Sequence, residues 1–151
     1  MKKSTIILIA AIYVASIVIV GVFGLKALIY EEKVYVDKIQ FVDPVTGENY
    51  KFLGEEIKPD SSGDGYIVRV NYKEGQTTDG LMFVVTPTDA SNTKVEIVVE
   101  SVTGKESNPC AKLESAGLGY RVTFSRKGII TLRIKATDGS KVSTVLRISA
   151  M

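Results

Sequence analysis

The sequence predicts an all-β domain of sandwich or barrel type, preceded by one N-terminal helix that spans a membrane. Three observations favour this class: an uncharged apolar run near the N-terminus, short apolar runs separated by turn residues after it, and no helical periodicity beyond residue 33. A chain of 151 residues suits one compact domain with one appendage. We expect the domain to fold on its core alone, because one cysteine cannot close an intramolecular disulfide.

The apolar run extends from Ser4 to Leu25 without a charged residue. As a helix it is about 30 Å long, which is the thickness of the hydrocarbon core of a bilayer. Lys2 and Lys3 precede the run and Glu31 follows it, so the positive-inside bias places the N-terminus in the cytoplasm. The predicted organisation is a cytoplasmic segment 1–3, a transmembrane helix 4–29 that contacts the lipid bilayer, and an extracytoplasmic β domain 30–151.

A cleaved signal peptide is the alternative interpretation of the same run. The apolar core of a signal peptide has about 7–15 residues, which is shorter than this run, and a small-residue cleavage site at 22–24 is a poor one. No cysteine follows the run closely, so lipoprotein attachment is not expected. We therefore expect a retained anchor in the cell membrane, with a single pass.

After the anchor, apolar runs and turn residues alternate every 8–14 residues. The pattern predicts about eight strands, at 33–41, 50–57, 66–72, 81–85, 95–99, 120–125, 129–136 and 142–150. Asp138-Gly139 predicts a hairpin turn between the last two strands. Alternation is clearest in the seventh strand, where Ile130, Leu132 and Ile134 are expected to face the core.

Residues from about 71 to 150 resemble a bacterial immunoglobulin-like domain of group 2. The matching pieces are a Gly-containing turn at 73–76, a strand that ends in Thr86-Pro87 with Asp89-Ala90 following, and a closing glycine and hairpin at 126–139. The tryptophan often found on the third strand of that family is replaced here by Ile97 or Val98. The resemblance implies an immunoglobulin-like β-sandwich used for adhesion, spacing or scaffolding at a cell surface, and it brings no catalytic residues.

Basic residues are concentrated in the last quarter of the chain. Residues 31–114 carry 9 basic and 16 acidic groups, whereas residues 115–151 carry 7 basic groups and one acid, Asp138. Strand alternation makes a candidate basic interaction face from four residues on outer strand faces: Arg121, Arg133, Lys135 and Arg147. Two interpretations stay open for it. The face meets an anionic partner, or acids such as Glu96 and Glu100 on adjacent strands neutralise it.

The segment Asp60-Ser61-Ser62-Gly63-Asp64-Gly65 partly matches a calcium-binding loop. Asp60, Ser62 and Asp64 occupy alternate positions that calcium loops fill with oxygen donors, and Gly65 stands at the sharp turn. The closing position holds Asn71 in place of a bidentate Glu. Since Asp, Ser and Gly are also ordinary turn residues, we expect a polar turn and predict no metal and no cofactor.

The residue types argue against catalysis. The chain has no histidine, so the commonest general base and metal ligand is missing, and Cys110 lacks the usual partner of a nucleophilic thiol. Ser-Lys dyads would work without histidine, but no arrangement of that kind is recognisable. Without the three lysines that flank the apolar run, the net charge is −1, so nucleic-acid binding is not expected.

These observations predict a membrane-anchored, noncatalytic cell-envelope protein that presents a β-sandwich to an envelope protein or a surface polymer. Self-association is compatible with the sequence, including pairing through Cys110 in an oxidising compartment. One alternative is a subunit of a pilus or pseudopilus, whose apolar helix normally carries an early Glu that is absent here. A second alternative is an extracytoplasmic hydrolase or its accessory subunit.

Overall fold

A computed structural model describes residues 3–28, 32–63, 65–73, 79–116 and 119–151 of the chain. The chain divides into two compact units, Met1–Lys33 and Val34–Met151. The described part of the first unit is helical, and that of the second is made of strands.

The helix α1 extends over Lys3–Leu28, close to the predicted range 4–29, whose last residue lies outside the described residues. Side chains from residue 3 to residue 23 are all exposed. Among the described residues, Lys3–Phe23 is the one helical segment long and apolar enough to cross a membrane. A helix of this length and composition fits a membrane anchor and also fits a signal sequence.

Fourteen strands form within the described part of the second unit. The first seven are β1 (Lys38–Gln40), β2 (Lys51–Phe52), β3 (Glu55–Glu56), β4 (Lys58–Pro59), β5 (Gly65–Val70), β6 (Asp79–Leu81) and β7 (Val84–Thr86). The other seven are β8 (Val95–Val102), β9 (Gly104–Lys105), β10 (Asn108–Pro109), β11 (Ala111–Ala116), β12 (Gly119–Phe124), β13 (Gly128–Ala136) and β14 (Ser143–Ala150). The unit is therefore all-β, as the sequence predicts.

Two sheets form the body of this unit in a sandwich-like arrangement. The larger has the order β4-β5-β14-β13-β8, with β5 parallel to β14 and the other neighbours antiparallel. The smaller has the order β11-β12-β6. Three two-stranded ladders complete the described strands: β1 with β7, β2 with β3, and β9 with β10.

The core lies where apolar side chains of both sheets meet. In β13, Ile130, Leu132 and Ile134 are fully buried, which confirms the predicted alternation. The smaller sheet contributes Val122 and Phe124, and Phe41 from the segment after β1 packs edge-on against Tyr66 with ring centroids 4.9 Å apart. Among the described residues, the buried hydrophobic ones lie between positions 36 and 150.

Three predicted strands are shorter or divided. The run 33–41 keeps only β1, and 50–57 becomes the β2-β3 hairpin, which turns at Leu53 and Gly54 with positive φ angles of 50° and 84°. The run 81–85 breaks between β6 and β7, which join different sheets. Conversely, β11 is absent from the prediction because Ala, Lys, Glu and Ser have low strand propensity. Glu74, Gly75 and Gln76 of the predicted turn lie outside the described residues.

Candidate interaction surface

The outer face of the five-stranded sheet carries three of the four predicted basic residues. Arg133 and Lys135 lie on β13, and Arg147 lies on β14. Their strand neighbours Ile134, Leu146 and others of the alternate set are buried in the core. Because side chains alternate along a strand, the three basic side chains share the solvent side of the sheet.

Arg121 does not belong to this face. It lies on β12 of the three-stranded sheet, where it stands opposite Glu114 of β11 and Gly80 of β6. The sequence predicts four basic residues on neighbouring strands, and β12 is not a neighbour of β13 or β14. Alternation along each strand gives the direction of a side chain relative to its own sheet, but it does not tell which sheet a strand joins.

Acidic residues accompany the basic ones on the larger sheet. Arg133 forms an ion pair with Glu100 through its Nε atom, and each side chain of this pair is about one-third exposed. Lys135 stands opposite Glu96 in the β13-β8 ladder. The register shifts between Thr131 and Leu132, so Glu100 sits at a bulge of β8. The β8 edge of the face is therefore partly neutralised.

Arg147 is accompanied by Asp60 from the turn between β4 and β5. The backbone N–H of Ser61 and the hydroxyl of Ser62 donate to the Asp60 carboxylate at 2.7 and 3.2 Å. These hydrogen bonds, with a smaller effect of the Arg147 charge, hold the pKa of Asp60 below its ordinary value. The same contacts are those of a polar turn, in which an Asp side chain caps the following backbone.

The loop that partly matches a calcium site is described only in part. The Asp60 carboxylate is occupied by Ser61 and Ser62, and Asp64 lies outside the described residues. Within the described ranges, no group of three His, Cys, Asp or Glu residues is placed to hold a metal ion.

Two further basic residues belong to the outer face and were missed by the sequence analysis. Arg69 of β5 is exposed and stands opposite Ser149 of β14, while Lys58 of β4 stands opposite Ile67 of β5. The alternation Tyr66, Val68, Val70 already predicts that Arg69 faces away from the core. The parallel pairing of β5 with β14 was not predictable, and it is this pairing that brings Arg69 beside Arg147.

A polar groove of about 710 Å³ lies at the β4 edge of the same sheet. Ile67 and Pro59 line it, together with three cations and three carboxylates. The cations are Lys51, Lys58 and Arg69, and the carboxylates are those of Glu55, Glu56 and Asp60. Lys58 and Glu56 approach to 3.8 Å, but both are largely exposed, so this pair contributes little to stability. Because its charges balance, the groove favours neither sign of ligand.

Cys110 is the one thiol of the chain, and it is fully buried. Its Sγ atom contacts the carbonyl oxygen of Ile129 at 3.6 Å. A thiol without solvent access reaches neither a substrate nor a second copy while the unit is folded. The residue therefore acts as a small core side chain.

The segment that leads into the β unit is held by Asp138. The backbone N–H of Val36 donates to Oδ2 of this carboxylate at 2.5 Å, and that of Ser140 donates to Oδ1 at 2.9 Å. These hydrogen bonds, chiefly the one from Val36, lower the pKa of Asp138. Val34 and Ser91 form two further hydrogen bonds. The backbone N–H of Val34 donates to the Ser91 hydroxyl oxygen at 3.0 Å, and the backbone N–H of Ser91 donates to the Val34 carbonyl oxygen at 2.9 Å.

A scan against protein-family models finds no match for this chain, and a search of curated proteins finds none either.

Proposed function

We propose that this chain is a membrane-tethered, noncatalytic cell-envelope protein whose extracytoplasmic β-sandwich binds an envelope protein or a surface polymer. One observation carries the proposal. The apolar helix exposes every described side chain from residue 3 to residue 23, and the described buried hydrophobic residues lie between positions 36 and 150. A bilayer would remove those apolar side chains from water.

The strand order supports an immunoglobulin-like identity for the β unit. The constant-type immunoglobulin sandwich packs strands A, B, E and D against C, F and G. In the proposed assignment, β6, β12 and β11 correspond to B, E and D, while β8, β13 and β14 correspond to C, F and G. The chain crosses between sheets after β6, β8 and β12 and forms hairpins from β11 to β12 and from β13 to β14. In place of A, β5 pairs with β14, the strand that takes the place of G.

A noncatalytic role fits the chemistry of the β unit. The chain lacks histidine, and its one thiol is buried against Ile129. The charged side chains that line the polar groove at the β4 edge are three cations and three carboxylates on an open surface. General acid-base chemistry needs a group held near a reacting atom, usually with a shifted pKa, in a site that excludes water. An open, solvated groove favours binding over turnover.

Protease accessibility on intact cells tests the proposal. The full-length chain carries one tag at each end, and cells are treated with an added protease before fractionation. We expect the C-terminal tag to be removed while the N-terminal tag stays protected and membrane-bound. A C-terminal tag that is protected in intact cells and cleaved only after lysis would refute the topology. Release of the β unit to the medium without protease would show a cleaved signal sequence.

A paired variant ties the result to the helix. Val14→Lys with Val18→Lys places two charges in the middle of the run, each costing about 2.5–3.5 kcal/mol at the centre of a membrane helix. We expect loss of membrane retention and of C-terminal exposure. The control is Val45→Lys, in an exposed turn of the β unit at 91 % exposure, where an added charge costs nothing in burial. Equal membrane retention of both variants would contradict a spanning helix.

A further inference from the structure

Three arginines form a diagonal row across the outer face of the five-stranded sheet. They lie on three consecutive strands: Arg69 on β5, Arg147 on β14 and Arg133 on β13. In the ladder, Arg69 stands opposite Ser149 and Arg133 stands opposite Val145, two residues either side of Arg147. From each strand to the next, the position of the arginine therefore shifts by two residues along the strand axis, always in the same direction.

This register fixes the spacing of the row. Adjacent strands are about 4.8 Å apart and two residues advance about 6.6 Å, so successive Cβ atoms are separated by about 8 Å. Lys135 stands opposite Ser143 but lies on β13 with Arg133, so it adds a cation along that strand. The next step of the diagonal, on β8, is Glu96, which stands opposite Lys135. Arg69, Arg147 and Arg133 thus lie on one line across three neighbouring strands and are called the arginine row below.

The residues next to the arginine row are small or aliphatic. Thr131 stands opposite Arg147 and is only 8 % exposed although it is on the outer face. Arg147 is also opposite Ile67 of β5, which is half-buried. Arginine stems cover apolar surface while the charged ends stay in water, so this floor suits extended guanidinium groups.

Acidic residues flank the row instead of interrupting it. Glu100 pairs with Arg133 from β8, and Asp60 of the β4-β5 turn lines the same small pocket as Arg147. Glu96 lies on β8 opposite Lys135. Arg69 is exposed and forms no ion pair within the described residues. A partner that lies along the three arginines meets one cation on each of β5, β14 and β13, whereas one that covers the whole face also meets the acids.

We infer that the arginine row binds a linear polymer that carries a phosphate group at each repeat. The planar guanidinium forks of arginine match phosphate in two-hydrogen-bond pairs, and a line of single charges selects a chain. A plane of anionic lipid headgroups fits less well, since it would oppose Glu96, Glu100 and Asp60 at the same time. The inference deepens the proposed function, on which it rests for access of the face to envelope polymers.

Linear inorganic polyphosphate is the probe, and the full-length chain is held in micelles of an uncharged detergent. Binding is measured by titration at several salt concentrations for the natural chain and for the triple variant Arg69→Gln, Arg133→Gln and Arg147→Gln. Three exposed ion pairs at about 0.2–1 kcal/mol each correspond to about three- to 150-fold in affinity, so we expect the triple variant to bind more weakly by a factor in that range. The plot of log affinity against log salt concentration should be less steep for the triple variant, with a slope smaller in magnitude by about 2 to 3.

A charge-matched control removes three cations elsewhere: Lys112→Gln, Arg121→Gln and Lys127→Gln, which lie on β11, on β12 and in the turn before β13. This variant should keep its affinity within about twofold. Protection of Cys110 from a thiol reagent verifies that both variants are folded, because this residue is fully buried.

Three outcomes would overturn the inference. One is no binding of polyphosphate by the natural chain at low salt. A second is an equal loss in the row variant and the control, which would mean attraction by net charge alone. The third is row-dependent binding to vesicles containing phosphatidylglycerol that exceeds binding to polyphosphate. The protease experiment decides the topology separately, so a chain that is exported but indifferent to polyphosphate refutes this inference alone.

Discussion

Gly65 offers a sharp test of the parallel pairing that brings Arg69 beside Arg147. A Cβ atom at this position would lie 2.6 Å from the carbonyl oxygen of Val145 and 3.3 Å from its Cβ atom. Ordinary contact begins near 3.4 Å, so Gly65→Ala requires a shift of about 0.8 Å between β5 and β14 (3.4 minus 2.6). The obstacle is backbone, which cannot rotate away as a side chain does.

The cost follows from this shift. A ladder hydrogen bond of about 2.9 Å stretched by that amount passes 3.5 Å and is lost. One or two lost bonds at about 0.5–1.5 kcal/mol each give a destabilisation of about 1–3 kcal/mol, similar to overpacking of a core. With a urea m-value of about 1–3 kcal/mol/M, the midpoint of unfolding should fall by about 1 M.

Cys110 supplies the assay. Because the single thiol of the chain is fully buried, brief exposure to a thiol reagent across a urea series labels only unfolded molecules. The control is Gly80→Ala in β6, where a Cβ atom meets nothing within 4 Å. This substitution should leave the midpoint unchanged or raise it slightly, because it reduces the entropy of the unfolded chain. If both variants unfold at the same urea concentration, β5 does not pair with β14 as described.

Further predictions concern the core, the thiol and the entry segment. Leu132→Ala empties a fully buried position on β13 and should destabilise the β unit by about 2–5 kcal/mol, measured as the decrease in urea midpoint. The control is Ile129→Ala, at a 42 % exposed position of the same strand. A smaller decrease for Leu132→Ala than for this control would contradict the core assignment. Cys110 should resist alkylation and form no disulfide-linked dimer until the β unit unfolds; labelling of the native protein at the rate of a free thiol would refute its burial. The lowered pKa of Asp138 means that its carboxylate stabilises the folded chain above the unfolded pKa, near 3.8, and that this contribution disappears as pH falls through the folded pKa. Asp138→Asn, which leaves one acceptor for the two N–H groups of Val36 and Ser140, should lower the urea midpoint at pH 7 and flatten its dependence on pH below 4; an unchanged pH profile would exclude this role.

The interaction surface shows how far residue patterns lead. Alternation along β13 and β14 places Arg133, Lys135 and Arg147 on the outer side of their sheet, and the structure agrees. Alternation also makes Arg121 look equivalent, although β12 belongs to the other sheet. The pattern contains the direction of each side chain but not the identity of the neighbouring strand, so a face assembled from several strands needs the pairing itself.

What the sequence determined by itself is local in origin. In an apolar medium, an uncharged run longer than twenty residues satisfies its backbone hydrogen bonds within itself only as a helix. The run therefore specifies α1 without any other part of the chain. The sequence also predicts a hairpin of β13 and β14 around Asp138-Gly139, and the two strands do pair antiparallel. Their register, with Lys135 opposite Ser143, leaves a loop longer than a two-residue turn, so the turn residues alone did not set it.

Only the tertiary structure decided the rest. The β11 strand, with weak strand formers, exists because β12 offers it a complete antiparallel ladder from Ala111 to Ala116. Asp138 holds Val36, which is 102 residues away along the chain. The arginine row depends on Gly65, whose missing side chain lets β5 approach β14 closely enough to pair. Contacts of this range are set by the free energy of the whole core, and for that reason no local pattern contains them.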